Sequence, residues 1–349
     1  MDGASTRGTH PALCYRNLMK VAHVMAGAPA GGAELFFERM VLAQANAGVA
    51  VLPVFRANPA RAARLATLAP VQLRFGGPLD VLTKWRLRRA LRRFAPDVVI
   101  GWMNRGASFC PPGPWVLAGR LGGYYDLKYY RRCRHLIGNT SGIVDWIRGQ
   151  GWEPSRVHYL PNFAPDLLGV APAALPVPAG TPVVLALGRL HHNKAFDVLI
   201  RAMVLLPSAH AVIAGEGPEH GPLLALARRL NVADRIHLIG WRQDQGALLA
   251  AAHVLACPSR HEPLGNVVIE AWSAARPVIA ADSAGPTELI RPGQDGLLVP
   301  RDNAPALAGA LQEALRPNGL GQVGRARYLA EFSREPVLAQ WADTLGRLR

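Results

Sequence analysis

The chain has 349 residues, half of them hydrophobic and 18% charged, with a formal net charge of +15. This balance excludes a disordered protein, and the length predicts two domains of ordinary size. The four scattered cysteines form no Cys-x-x-Cys motif, which argues against a disulfide framework or a zinc site. No apolar run reaches the roughly 18–20 residues of a membrane span, and the N-terminal segment lacks the pattern of a signal peptide. We therefore expect a cytoplasmic protein.

The first half of the chain alternates short apolar runs with longer amphipathic ones. The apolar runs predict buried strands at 18–25, 49–55, 71–75, 98–101, 115–118 and 135–138. The amphipathic runs predict helices at 33–46, 58–68, 79–94 and 141–150. This alternation indicates a parallel sheet covered by helices on both faces.

A stretch rich in proline and alanine interrupts the alternation, and we interpret residues 166–181 as a linker. Afterwards, strands are predicted at 182–188, 209–215, 236–240, 254–257, 277–281 and 296–299. Helices are predicted at 195–205, 218–230, 243–251, 266–275, 286–290 and 304–315. The pattern predicts an α/β protein with two Rossmann-like domains facing across a cleft, at 1–165 and 182–325. Residues 326–349 are expected to form a C-terminal helix that packs back on the first domain.

The most informative segment runs from Ser259 to Glu270, directly after a predicted strand. Gly265 and Asn266 stand where the loop turns into a helix, and an Asn266 cap would leave backbone N–H groups available for an anion such as phosphate. Glu262 would lie on the loop at the ligand, and Glu270 could reach a hydroxylated group such as a ribose. The alternative is that Glu262 only complements the helix dipole and Glu270 is a surface residue.

Two cations flank a loop earlier in the second half. Arg189 and Lys194 follow an apolar strand and precede a helix, an arrangement that suits a diphosphate. Weaker signals are Gly31-Gly32, between the first strand and the first helix, and Gly215-Glu216-Gly217 after a later strand. The chain contains no P-loop, no G-x-S-x-G, no H-E-x-x-H and no D-x-D motif.

Together these segments resemble the group 1 glycosyltransferases (glycosyltransferase family 4, GT-B fold), of the type that builds bacterial cell-envelope polysaccharides. The matching segments cover nearly all of residues 181–300 in the family's order. They are Gly188-Arg189 with Lys194, Ala214–Pro218, Leu238–Trp241, Cys257–Ala271 with its two glutamates, Gly285–Ile290 and Asp295–Val299. The first half matches more loosely, through Gly31–Glu34, Asn139-Thr140 and Leu160–Asn162.

The resemblance implies a retaining, metal-independent transferase that moves a sugar from a nucleotide-diphosphate donor to a glycan or lipid-linked acceptor, in lipopolysaccharide or exopolysaccharide assembly. It implies no cofactor. It places Arg189 and Lys194 on the diphosphate, Glu262 on the donor sugar as the catalytic residue, and Glu270 on the ribose. The remaining donor contacts that it implies are Leu264, Gly265, Asn266, Gly217, Gly240, Trp241, Gly31 and Gly32.

Two departures from the family pattern affect the acceptor side and the loop after Lys194. Many relatives carry a His or Asp after the fourth strand, where this chain has Asn104 and Arg105. Asn104 cannot act as a general base, whereas Arg105 could bind an acceptor or a phosphate. Ala195 replaces the usual glycine after the lysine.

The positive charge is concentrated in the first half, where 22 basic residues outnumber 9 acidic ones within residues 1–170. Six of these cations lie on one predicted helix, namely Lys84, Arg86, Arg88, Arg89, Arg92 and Arg93. A second cluster spans 128–134. Such patches favour docking on an anionic membrane surface, and a solvated helix face is the alternative.

Three other functions compete with the transferase. A GT-B epimerase would need acid–base residues that the sequence does not place, and a phosphorylase would need a lysine-bound pyridoxal phosphate and a longer chain. A basic nucleic-acid-binding protein is suggested by the charge alone. No recognised nucleic-acid motif is present, so no nucleic-acid partner is expected.

Overall fold

A computed structural model describes residues 19–27, 31–77 and 79–348. The N-terminal segment in which we expect no signal peptide, Cys14 included, lies outside these residues. The described chain divides into two compact units. The first comprises residues up to 138, 146–160 and 338 onward, and the second comprises 139–145 and 161–337.

The first unit is built on a parallel sheet of seven strands in the order β3-β2-β1-β4-β5-β6-β7. Its strands are β1 (Lys20–Met25), β2 (Ala50–Arg56), β3 (Val71–Leu73), β4 (Val98–Trp102), β5 (Val116–Leu121), β6 (His135–Gly138) and β7 (Val157–Tyr159). Its helices are α1 (Gly32–Asn46), α2 (Pro59–Arg64), α3 (Val81–Phe94), α4 (Met103–Phe109) and part of α5 (Ser141–Gly149).

The second unit repeats the plan with six parallel strands in the order β10-β9-β8-β11-β12-β13. They are β8 (Val183–Leu187), β9 (His210–Ala214), β10 (Ile236–Leu238), β11 (Val254–Cys257), β12 (Val278–Ala281) and β13 (Leu297–Val299). The helices are α6 (Phe196–Ala202), α7 (His220–Arg229), α8 (Gln245–Ala251), α9 (Asn266–Ser273), α10 (Ala284–Leu289), α11 (Ala304–Ala314) and α12 (Leu320–Arg327). A last helix, α13 (Arg334–Arg347), ends in the first unit.

These two sheets confirm the predicted α/β class. In the second unit, apolar residues of β8, β9 and β11 are buried on both faces of the sheet, as a parallel sheet between helices requires. Within the described residues, no helix is both long and apolar enough to cross a bilayer.

Several predicted boundaries differ from the structure. The predicted helix at 58–68 is α2 followed by a separate 3₁₀ turn at Ala66–Leu68, and α3 begins at Val81 because Asp80 caps it. Helix α4 was missed, since Met103–Phe109 is short and includes asparagine, glycine and serine, which are weak helix formers. Strand β7 was missed as well, because three residues carry too little periodicity to be recognised.

Candidate active site in the second unit

The candidate site lies where the strand order of the second sheet reverses. β8 pairs with β9 on one side and with β11 on the other, so the connections after β8 and β11 leave in opposite directions. Open α/β sheets bind ligands in the crevice that such a reversal creates at the carboxyl ends of the strands. Lys194 follows β8 and Glu262 follows β11, which places two of the predicted residues at this point.

Lys194 and Glu262 are directly bonded. The Lys194 ammonium donates a hydrogen bond to Glu262 Oε2, and the lysine side chain keeps 24% of its surface exposed. Burial alone would lower the pKa of Lys194, but the negative charge of Glu262 overrides it and raises the pKa above its ordinary value. Lys194 is therefore a fixed, accessible cation whose present partner is the chain's own carboxylate.

Glu262 is positioned through its backbone as well as its carboxylate. Its carbonyl accepts from the N–H of Gly285 at 2.8 Å, and its Oε1 accepts from the N–H of Gly265 at 3.3 Å. The nearby Cys257 thiol is buried, and burial raises its pKa to about 11. The carboxylate thus faces a neutral thiol and one cation.

The start of α9 corrects one detail of the sequence reasoning. The capping residue is Gly265, in the left-handed conformation with φ 84°, and Asn266 is the first helical residue. The Asn266 side chain accepts instead from Asn162 Nδ2 at 2.9 Å. Glycine suits this cap because it adopts positive φ at little cost. The N–H groups of the first turn still give this end of α9 its partial positive charge.

Leu264 and Glu270 lie on either side of that helix start. Leu264 is buried, and its backbone packs so closely on Gly285 that a Cβ at Gly285 would lie 2.4 Å from the Leu264 carbonyl carbon. Glu270 is only 6% exposed. The alternative that Glu270 is an ordinary surface residue is therefore wrong.

The cations around the site fall into two kinds. Arg189 is exposed, and among the residues that the structure describes it forms no ion pair. Arg260, which the sequence did not single out, donates to Asp197 at 2.8–2.9 Å, to Asp302 at 2.6 Å and to the carbonyl of His192 at 2.8 Å. Two carboxylates neutralise Arg260, which braces the turn that carries Lys194.

The conformation of that turn shows why a glycine is usual at the position of Ala195. Residues His192–Lys194 form one 3₁₀ turn, and Ala195 follows in the left-handed conformation with φ 52° before α6 begins. A glycine would adopt this conformation without strain, whereas an alanine costs about 1–2 kcal/mol. The buried contacts of Ala195 must offset this cost.

Backbone contacts hold together the three loops after β8, β9 and β10. The N–H of Leu190 donates to Glu216 O at 2.9 Å, and that of Gly215 donates to Gly240 O at 2.8 Å. A Cβ at Gly215 would lie 1.8 Å from Gly188 O, and one at Gly217 would lie 2.2 Å from Leu190 O. These glycines therefore have a packing role, and a donor contact by Gly217 stays a prediction.

The loop after β10 offers a surface for a planar group. Gly240 lies in the left-handed region with φ 73°, and Trp241 beside it is 52% exposed. An exposed indole at the carboxyl end of a strand suits stacking on a base. The predicted base contact by these two residues stays a prediction.

The predicted residues of the first unit have structural partners there. Gly31 is extended, and a Cβ on it would lie 2.5 Å from Glu34 Oε2; Gly32, the exposed first residue of α1, follows it. Asn104 accepts from the Tyr130 hydroxyl at 3.0 Å. Arg105 Nη2 donates to the carbonyls of Phe75 and Gly76. Their donor and acceptor roles stay predictions.

Glu288 makes a contact that sequence reasoning did not foresee. Its carboxylate accepts from the backbone N–H groups of Ser141 and Gly142, the first two residues of α5. A carboxylate at a helix N-terminus is stabilised by the partial positive charge there. The partners are 146–147 positions apart in the sequence, so no local pattern predicts this bond.

Within the described part of the chain, no three His, Cys, Asp or Glu side chains come together as candidate metal ligands.

The family model and two curated relatives that match this chain are all glycosyltransferases. Residues 181–317 match the family model described as "Glycosyl transferases group 1". LpsE of Rhizobium meliloti (strain 1021), a lipopolysaccharide core biosynthesis glycosyltransferase, is 33% identical over 341 residues, which cover 94% of this chain and 99% of LpsE. LpsD of the same strain, with the same description, is 33% identical over 343 residues, covering 94% and 98%.

Among solved structures, the crystal structure of Anabaena HepE in complex with UDP superposes with a TM-score of 0.81. The match covers 94% of this chain and all of HepE at 20% sequence identity. This likeness confirms the predicted GT-B fold.

Proposed function

The chain belongs to the group 1 glycosyltransferases, and from that membership we propose that it is a retaining, metal-independent enzyme of lipopolysaccharide core assembly. The proposed donor is a nucleotide-diphosphate sugar. The observation that carries this proposal is the Lys194–Glu262 pair, which lies beside the start of α9 at the reversal point of the second sheet.

The proposed chemistry follows from where charge grows in the reaction. When the sugar leaves its nucleotide, negative charge develops on the departing diphosphate. Lys194, the exposed Arg189 and the first-turn N–H groups of α9 would stabilise that charge without reorganising. These groups would supply the positive charge that a metal ion provides in other enzymes, which supports metal independence.

Glu262 and Glu270 take different roles in the proposal. Glu262 would accept hydrogen bonds from hydroxyls of the donor sugar, and binding would draw Lys194 from the carboxylate towards the diphosphate. Glu270, buried one turn further into α9, would accept from the ribose hydroxyls. Gly240 and Trp241 would contact the base.

Retention of configuration is proposed through attack on the same face as departure. In that mechanism the leaving diphosphate itself assists the acceptor hydroxyl, and no enzyme nucleophile is required.

The acceptor class is inferred from the relatives of matching length. LpsE and LpsD, which this chain covers almost completely, are lipopolysaccharide core glycosyltransferases. We propose a lipid-linked core oligosaccharide as acceptor and a peripheral location on the cytoplasmic face of the plasma membrane. The six cations of α3 are all exposed and supply an anion-binding surface for that location.

The test is a donor panel followed by transfer. Thermal shift with UDP-, GDP-, ADP- and CMP-sugars in EDTA identifies the donor, and truncated core lipopolysaccharides then serve as acceptors. Product NMR reports the anomeric configuration. Transfer with retention in EDTA supports the proposal; inversion, or a strict requirement for a divalent cation, contradicts the corresponding part.

A further inference from the structure

Apolar side chains project into solvent where α3 begins. Leu79 is 92% exposed, Val81 70%, Leu82 50% and Trp85 55%. We call these four residues the α3 tip. Single exposed apolar residues are common on proteins, but four within seven positions of one segment form a patch that points to an interaction.

The α3 tip is held in this outward orientation. Asp80 accepts from the N–H groups of Thr83 at 2.9 Å and Gly76 at 2.7 Å. A hydrogen bond from the Thr83 side chain, together with these two backbone bonds, lowers the pKa of the Asp80 carboxyl to about 2. On the opposite face of α3, Thr83, Leu87 and Leu91 are buried against the unit. The tip is therefore a fixed protrusion and not a loose loop end.

Arginine side chains occupy the solvent-exposed face of α3 on the C-terminal side of the tip. At about 100° per residue, Val81, Trp85, Arg88 and Arg92 fall along one line of α3, with Arg89 beside them. The Arg89 guanidinium lies 5.6 Å from the Trp85 ring centroid. The helix contains no acidic residue. Its outer face thus passes from apolar through aromatic to cationic.

We propose that the α3 tip inserts into the outer part of an anionic lipid bilayer, while the arginines behind it bind the lipid headgroups. Along the helix, the apolar residues would lie at the acyl chains, the tryptophan at the membrane interface and the arginines at the lipid phosphates of one leaflet. A protein partner is disfavoured, because each exposed arginine around the tip would have to be matched by an acidic group, whereas an anionic membrane supplies such charges everywhere.

Insertion of the tip would also orient the enzyme towards its acceptor, and this part of the inference rests on the proposed function. The tip follows β3, and Arg105, which follows β4, donates to the carbonyls of Phe75 and Gly76 just before the tip. Both strands belong to one parallel sheet, so their carboxyl ends share an edge. An inserted tip would hold the predicted acceptor residues Asn104 and Arg105 close to the membrane surface from which a lipid-linked acceptor projects.

The experiment measures binding of the full chain to vesicles of phosphatidylcholine and phosphatidylglycerol. The tip variant carries Leu79→Ser, Leu82→Ser and Trp85→Ser, and the cation variant carries Arg88→Gln, Arg89→Gln and Arg92→Gln. The matched control carries Val204→Ser and Leu205→Ser, at positions 45% and 56% exposed in the second unit. All positions are exposed, so unchanged thermal unfolding can be required of each protein.

Salt concentration separates electrostatic binding by the arginines from apolar insertion by the tip. The cation variant should lose most of its binding at low salt, whereas the wild type should keep a fraction at about 0.5 M NaCl, where exposed charges are screened. The tip variant should lose that salt-resistant fraction, with at least a tenfold lower partition coefficient, and the control should bind like the wild type. Equal salt-resistant binding by tip variant and wild type would overturn the insertion.

Trp85 provides a second readout. Brominated lipids should quench part of the tryptophan fluorescence of the wild type and less of that of Trp85→Phe. Equal quenching in both, or a tip-dependent dimer in solution that explains the exposed patch, would overturn the proposal. Donor thermal shifts should be unchanged in every tip variant, so failure of the donor panel and failure of insertion are distinguishable.

Discussion

The ammonium of Lys194 and the carboxylate of Glu262 are bonded across 68 positions of sequence, at the point where the second sheet reverses its strand order. Without a donor, each charge neutralises the other. In the proposed function, an incoming diphosphate would add a stronger anion beside Lys194, and hydroxyls of the sugar would replace the ammonium on Glu262. Each of the two side chains would thus exchange its partner for a ligand group when the donor binds. Neither half-buried charge would be left unpaired, which limits the desolvation cost.

Replacing Lys194 by alanine should weaken donor binding about tenfold or more, because a charge-assisted contact to the diphosphate is lost. Calorimetric titration with the responding nucleotide sugar measures the affinity. Arg228→Ala, which removes an exposed cation at the end of α7, is the control and should bind normally. An unchanged affinity for Lys194→Ala would remove the lysine from the diphosphate site.

Replacing Glu270 by alanine should abolish the preference of the protein for a ligand that carries the ribose hydroxyls. The wild type should bind the nucleoside diphosphate more tightly than its 2′,3′-dideoxy analogue, since Glu270 would accept from the hydroxyls. The variant should bind the two ligands with similar affinity. If the variant still prefers the ribose form by the wild-type factor, Glu270 does not contact the ribose. The comparison between two ligands separates this role from a general loss of stability.

Replacing Gly215 by alanine should displace the loop that carries Arg189. The new Cβ would meet the carbonyl oxygen of Gly188 at 1.8 Å, and backbone cannot yield as a side chain can. We expect a loss of about 2 kcal/mol or more in the free energy of unfolding, together with weaker donor binding. Gly309→Ala is the control, because Gly309 lies within α11 with nothing within 4 Å of its added Cβ. It should be neutral or stabilising by about 0.5–1 kcal/mol; a normal Gly215→Ala protein would show that the loops are not held as described.

The sequence was sufficient for the strand–helix alternation, because buried parallel strands are continuous apolar runs that stand out from amphipathic helices. It was also sufficient to place Lys194 and Glu262 on two loops at strand ends. What it could not supply were partners distant in sequence. The three contacts of Arg260 span 68, 63 and 42 positions, and nothing local distinguishes it from Arg189 as a candidate cation.

The missed helix α4 and the misassigned cap of α9 arise where tertiary packing overrides the conformational preference of single residues. Gly106 would be unfavourable in an isolated helix, yet in α4 it lets the helix approach β1, where a Cβ would lie 2.4 Å from Val24 O. Asn266 is a good capping residue by type, but Gly265 takes the cap because the chain turns through a left-handed conformation there. In both places tertiary packing decides against the local preference.

A buried histidine should make the protein sensitive to mild acid. The Trp102 indole N–H donates to Nδ1 of His23 at 3.0 Å, so Nε2 carries the proton and donates to Gln44 Oε1 at 2.7 Å. The neutral ring is satisfied, and burial lowers the pKa of His23 to about 4 from 6.5. Between pH 6.5 and 4, His23 is protonated in the unfolded chain but stays neutral in the folded chain. The free energy of unfolding therefore falls as the pH drops towards 4.

At pH 5 this residue alone should cost about 2 kcal/mol relative to pH 7.5. Chemical unfolding at several pH values measures the slope. In Trp102→Phe, Nδ1 loses its donor and can accept a proton more readily, so the pKa of His23 should rise and the slope should become smaller, even though the variant is less stable at neutral pH. An unchanged slope in Trp102→Phe would mean that the acid sensitivity arises elsewhere, with His135 the next residue to examine, because burial lowers its pKa to about 4 as well.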